Sequence, residues 1–162
     1  SILYAYDFSK QDLKYKGSKK VYFQDPFIFY SLKSSLTGRE INDIIGEILE
    51  DEVLLSQIIE GIVLSHLSMT SEIPYLKETN TFLWFYYDTK NKEIDNVVKK
   101  NGGFLGIEVK YQNDISTRDV VKIADIDDYI ILSKNDFDEN EHTIVVPVET
   151  FLALLEKSNH NL

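Results

Sequence analysis

At 162 residues, 43% hydrophobic and 12% aromatic, the chain suits one domain, or one domain with a small appendage, and is not a disordered chain. Its 27 acids against 17 bases give a formal net charge of -10, a field that repels nucleic acid on average and leaves it only a local basic or cation-filled groove. The absence of cysteine excludes disulfides, thiolate nucleophiles and cysteine-based zinc sites, and it fits an intracellular, cytoplasmic protein.

No apolar run reaches the ~18 residues of a membrane span, and no signal peptide is visible. A chain that starts at Ser1 is expected to be processed or cut from something longer. There are no internal repeats.

In chain order, "ILYAY" (2–6) and "KKVYFQ" (19–24) predict short strands around a polar loop containing Gly17. "DPFIFYSLKSSL" predicts a helix with Asp25 as N-cap and Pro26 at its first position, punctuated by Gly38. "EDEVLLSQIIEGIVLSHLSM" (50–69) is the strongest predicted helix, with acids in its first turn and Pro74 beyond its end. "TFLWFYY" (81–87), "EIDNVVK" (93–99) and "FLGIEVKY" (104–111) predict an antiparallel meander. "STRDVVKIADI" predicts a helix capped by Ser116 or Thr117. "DYIILS" (128–133) and "TIVVPV" (143–148) predict strands, and "ETFLALLEK" (149–157) a closing helix. "KSNHNL" is expected to fray as a tail. The order after residue 50, α-β-β-β-α-β-β-α, predicts a mixed α/β sandwich.

The hairpin carries the chemistry. A two-residue turn at Asn101-Gly102 sets Lys100 opposite Gly103, which puts Asp95 opposite Glu108 and Glu93 opposite Lys110. Ile94, Asn96, Val98, Leu105, Ile107 and Val109 then share the core face. Gly106 leaves room beside the two acids. Opposed carboxylates repel, and a hard divalent cation with oxygen ligands resolves the conflict. Two other readings stand beside this one. An ordinary amphipathic hairpin also has a charged face, and a three-residue "NGG" loop shifts the register by one and separates the acids.

Glu60 is a third acid in an unusual place. Its neighbours on the helix face are Val53, Ser56, Gln57, Val63, Leu64 and Leu67, four of six apolar. A carboxylate there needs a partner. A backbone group or a tyrosine would serve, as would a position on the rim of the helix.

Other groups carry less. His66, His142 and His160 show no metal-ligand spacing. Lys99, Lys100 and Lys110, with Tyr111, could meet a phosphate backbone. They and Lys14, Lys16, Lys19 and Lys20 also read as solubilising lysines on an edge or loop.

The combination of Glu60 in "IIEGIVLSHL", Asp95 in "KEIDNVV", and Glu108 and Lys110 in "IEVKY" resembles the PD-(D/E)XK, restriction-endonuclease-like phosphodiesterases. "KVYFQDPFIFYSL" and "IVVPVETFLALL" are similar to the C-terminal region of predicted archaeal and bacterial AAA+ P-loop ATPases, where an ATPase module and a winged helix precede a nuclease-like domain. The resemblance implies a three-layer α/β/α fold with a central mixed β-sheet and a short N-terminal hairpin remnant. It divides the chain into a hairpin or linker (1–24), the nuclease-like domain (25–158) and a tail (159–162). It implies Mg²⁺ or Mn²⁺ held by Asp95, Glu108 and the backbone carbonyl of Val109, with Lys110 assisting the attacking water and Glu60 supporting the site. It implies a nucleic-acid substrate and an ATPase module in cis or in trans, with no membrane partner. The alternative is a catalytically inactive domain of the same fold that serves as an interaction or regulatory module. With no G-x-x-x-x-G-K-[ST] loop, the chain is not itself the ATPase.

Overall fold

The computed structural model describes residues 2–23, 25–69, 83–88, 90, 92–100 and 103–159. Pro74, the Asn101-Gly102 turn, His160 and residues 81–82 of the "TFLWFYY" strand lie outside the described residues.

The centre is a six-stranded mixed sheet in the order β5-β6-β7-β8-β10-β9. Its strands are β5 (Leu83–Tyr87), β6 (Glu93–Lys100), β7 (Gly103–Val109), β8 (Asp128–Ser133), β9 (Asp138–Glu139) and β10 (Thr143–Pro147). β5, β6 and β7 run antiparallel as a meander, β7-β8 and β8-β10 pair parallel, and β9 returns antiparallel. The hairpin register is the expected one at its inner end, with Lys100 opposite Gly103 and Val97 opposite Gly106.

Before the sheet come β1 (Ile2–Tyr4), β2 (Tyr6–Asp7), β3 (Asp12–Leu13) and β4 (Lys19–Val21). β1 pairs with β4, and β2 pairs with β3. Ala5 bridges to Phe85, which ties this segment to the edge of the sheet.

The helices are α1 (Pro26–Thr37), α2 (Ile41–Glu50), α3 (Glu52–Met69) and α4 (Val148–Asn159). α1 begins as its sequence dictates. The Asp25 side chain accepts the Phe27 N–H at 2.8 Å, Pro26 follows it, and Gly38 closes the helix in the left-handed region at φ 70°. Sequence patterning predicted α3 but not α2. Asp51 breaks the chain between them, and its Oδ1 accepts the Val53 and Leu54 N–H groups at 3.0 Å to start α3.

Among the described residues, α3 is the one helix long and apolar enough to cross a membrane by length and composition, although Glu52, Gln57, Glu60 and His66 interrupt its apolar run. Here it is the central helix of the core. Ile59, Val63 and Leu67 pack with Val148 and Phe151 of α4 over Val98, Ile107, Val109 and Leu132 of the sheet. α1 and α2 pack on α3.

Two expectations about layering are corrected. "STRDVVKIADI" does not form a helix. Its only helical turn is a 3₁₀ turn, Thr117–Asp119, closed by reciprocal Ser116–Asp119 capping. The chain then extends, because its β-branched residues serve as a lid on the sheet. Ile123 and Ile126 pack with Val97 and Tyr129, while Ile115 and Val120 pack with Ile131 and Val145. The Tyr129 hydroxyl accepts the Ile123 N–H at 2.7 Å and donates to the Ile123 carbonyl at 3.0 Å, fixing the lid. Among the described residues, all four α-helices therefore serve one face. The other face is covered by this lid and by Tyr6, Phe8 and Leu13, in place of the second helical layer of an α/β/α sandwich. The second hairpin face is thus core rather than solvated, and Val97 is fully buried there.

Gly106 lies under the lid. A Cβ there would come within 3.0 Å of Tyr129 Cδ1 and 3.3 Å of Ile126 Cγ2. Gly106→Ala is expected to destabilise the fold by about 1–3 kcal/mol, read as a lower midpoint in urea with an unchanged slope.

Candidate functional site

The site is set by an irregularity in β6. Trp84 pairs with Val97 but Tyr86 pairs with Ile94, so β6 spends two residues, Asp95 and Asn96, opposite the single Phe85. This is a β-bulge. Strict alternation would put Asp95 on the lid face with Val97. The extra residue instead sends Ile94, fully buried, to the lid face beside Val97 and Trp84, and turns Asp95 toward the helical face. Asn96 is 2% exposed, and its Oδ1 has no hydrogen-bond partner.

Asp95 is met there by Lys20 of β4. The Lys20 Nζ lies 2.7 Å from Asp95 Oδ1 and 3.6 Å from Glu60 Oε2 of α3, and it also pairs with Glu93 Oε1. The other Asp95 oxygen, Oδ2, accepts the Val109 N–H at 2.8 Å, just beyond the last β6-β7 pair, Asn96 with Ile107. Tyr22 donates its hydroxyl to Glu60 Oε2 at 2.8 Å. The ammonium also stands 5.7 Å from the centre of the Phe85 ring.

These groups are largely withdrawn from water. The side chains of Lys20 and Glu60 are each 17% exposed and that of Asp95 11%, whereas Glu93 keeps 40%. Burial by itself would lower the Lys20 pKa. Asp95, Glu93 and Glu60 outweigh it and hold the ammonium well above the ordinary lysine value. Burial, then the like charge of Asp95, raises the Glu60 carboxyl against the pull of Lys20 and Tyr22. Burial and the Glu60 charge raise the Tyr22 phenol.

Glu108 and Lys110 stand elsewhere. Glu108 follows Gly106 at a spacing of two on an unbulged strand, so it faces the lid, on the opposite side of the sheet from Asp95. It pairs with Lys110 at 3.2 Å, and Lys110 also donates to the Asp119 carbonyl at 2.5 Å. Burial raises the Glu108 carboxyl against the pull of Lys110. Its Oε2 is buried with no hydrogen-bond partner.

The structure brings Glu60 and Asp95 to the same ammonium, that of Lys20. It corrects the opposed Asp95–Glu108 pair, because the bulge turns the two acids to different faces. The expected Glu93–Lys110 pair is also replaced, since Glu93 pairs with Lys20 and Lys110 with Glu108. A divalent cation on Asp95, Glu108 and the Val109 carbonyl does not fit this arrangement. One of its carboxylates faces away, and both Asp95 oxygens are engaged. Among the described residues, no group of three or more histidine or acidic side chains is placed to hold a metal ion.

Sequence reasoning missed Lys20 and Tyr22. Alternation in "KKVYF" favours Val21 and Phe23 as the inward residues, yet they are 74% and 46% exposed. The available signal was indirect: a carboxylate on the apolar face of α3 requires a cation or hydroxyl from elsewhere in the chain.

Residues 55–151, well over half of the chain, match the family described as a domain of unknown function, DUF4143. No curated protein and no solved structure matches the chain.

Lys20→Met removes the shared cation and leaves buried acids facing one another. At pH 7 a loss of about 3 kcal/mol is expected in urea unfolding. The folded Lys20 pKa is raised, so its contribution is complete below about 10.4, the ordinary lysine value, and is lost only as the pH climbs through the still higher folded value. Lys20 therefore does not titrate in the acid range. Glu60, whose carboxyl is already raised by burial and by Asp95, takes a proton more readily still without the ammonium. The deficit is expected to narrow as the pH falls into the acid range. A deficit constant with pH would mean that the lysine contributes packing alone.

Proposed function

The chain belongs to the DUF4143 family, whose domain often stands at the C-terminus of AAA-type ATPases, and we propose that it serves there as a non-catalytic interaction or regulatory module. The observation that supports this reading is the Lys20 ammonium lying among Glu60, Glu93 and Asp95. An internal cation satisfies the acids that a metal-dependent phosphodiesterase would keep for Mg²⁺. The separation of Asp95 from Glu108 removes the shared carboxylate geometry that two-ligand Mg²⁺ binding needs. The surface charge agrees, since a net -10 disfavours a polyanionic substrate.

The Mg²⁺- or Mn²⁺-dependent nuclease is the second reading. It is favoured by the full set of Glu60, Asp95, Glu108 and Lys110 and by the partnerless buried Oε2 of Glu108. It requires Lys20 to leave the acids and Asp95 to turn toward Glu108.

Calorimetric titration of the whole chain with Mn²⁺ and Mg²⁺ separates the two. The module reading expects no saturable heat up to low-millimolar metal, with the same result for Asp95→Ala. Saturable binding that disappears in Asp95→Ala, joined to metal-dependent cleavage of a DNA or RNA oligonucleotide, would establish the nuclease.

A further inference from the structure

Beside the Lys20 cluster, a cavity of about 470 Å³ opens between the β4–α1 junction and α3. This is within the size range of binding pockets. Its walls are apolar: Phe23, Phe29, Leu54 and Ile58. Glu60, Glu93 and Lys20 give the lining its polar part. Gly61 also lines it, and a Cβ there would make ordinary contact with the Tyr22 ring at 3.5 Å and the Phe23 carbonyl at 3.6 Å.

A second cavity of about 320 Å³ shares Gln57 and Glu60 with the lining of the first and has Glu52 in its own. Three glutamates therefore line the two cavities, and the lysine among them already pairs with Asp95 and Glu93. Charge decides the occupant. One ammonium faces the three carboxylates of Glu60, Glu93 and Asp95, so the formal charge left there is negative; it disfavours phosphates and carboxylates and suits an apolar group with a cationic end. Phe23 remains 46% exposed on one wall and Glu93 keeps 40% of its side chain accessible, so both can be reached from outside.

We propose that this groove docks a protein segment carrying an arginine or lysine next to an aliphatic or aromatic residue. The apolar residue lies against Phe23, Phe29 and Leu54, and the cation reaches Glu93 and Glu60. The inference rests on the interaction-module reading and assigns that module its contact surface.

Fluorescence anisotropy tests it on the whole chain. The probe is a labelled, acetylated peptide alternating leucine with arginine, and its control has glutamate in place of arginine. The arginine peptide is expected to bind at least about tenfold more tightly than the control. Glu93→Gln, which removes the charge and keeps the shape, is expected to weaken it severalfold, with an unchanged far-ultraviolet circular dichroism spectrum. Phe29→Ala, which leaves the charges in place, is expected to weaken it as well. Equal affinity for both peptides, no binding of either, or indifference to both substitutions would overturn the proposal. Such a failure, with no metal bound in the calorimetric titration, removes this groove while the module reading stands. Metal binding by the unmodified chain removes the module reading itself.

Discussion

Lys20 carries its charge into a place where water hardly reaches, and much of the molecule is arranged around that fact. An ammonium so placed is tolerated only with compensating anions. Two elements distant in sequence supply them, α3 with Glu60 and β6 with Glu93 and Asp95, and the neighbouring Tyr22 donates its hydroxyl to Glu60. The interaction joins the N-terminal segment to both the central helix and the sheet. Hydrophobic contacts of Leu3 and Ala5 with Leu64 and Phe85 reinforce the same junction but do not specify its register. The charges do, because a slip of one residue in β4 would exchange Lys20 for Val21.

The bulge at Asp95 and Asn96 is the backbone counterpart of this ion pair. It lets one strand bury hydrophobic residues on two faces and still present a carboxylate to Lys20. The local cost is visible in Asn96, whose buried Oδ1 finds no partner. The two apolar faces also explain why the sheet does without a second helical layer. Extended chain at 120–126, rich in β-branched residues, covers the lid face closely enough that Gly106 has no room for a side chain.

Local signals in the sequence translated well. Asp25, Pro26 and Gly38 mark the ends of α1 because capping is a property of neighbouring residues. The inner register of the β6-β7 hairpin followed from the spacing around its turn. What failed depended on distant partners. No periodicity announces an extra residue in β6, since the bulge answers to Phe85 and Lys20, one on a different strand and the other some seventy positions earlier. The stretch after Ser116 has a helical start signal, but its valines and isoleucines are claimed by a sheet face already built. Glu60 was legible as an acid in need of a partner. The identity of that partner was not, because Lys20 sits in a run whose alternation favours the wrong residues.

The matched family region opens at residue 55, inside α3, while Lys20 and Tyr22 come from well before it. The electrostatic unit is therefore larger than the matched stretch of sequence. A fragment trimmed to the matched residues would keep Glu60, Glu93 and Asp95 and discard the ammonium and hydroxyl that answer them. Its surplus negative charge would sit at the heart of the sheet–helix junction rather than on its surface. In this protein the boundary that matters for cutting, fusing or transplanting the domain is drawn by charge balance, and it lies upstream of Lys20.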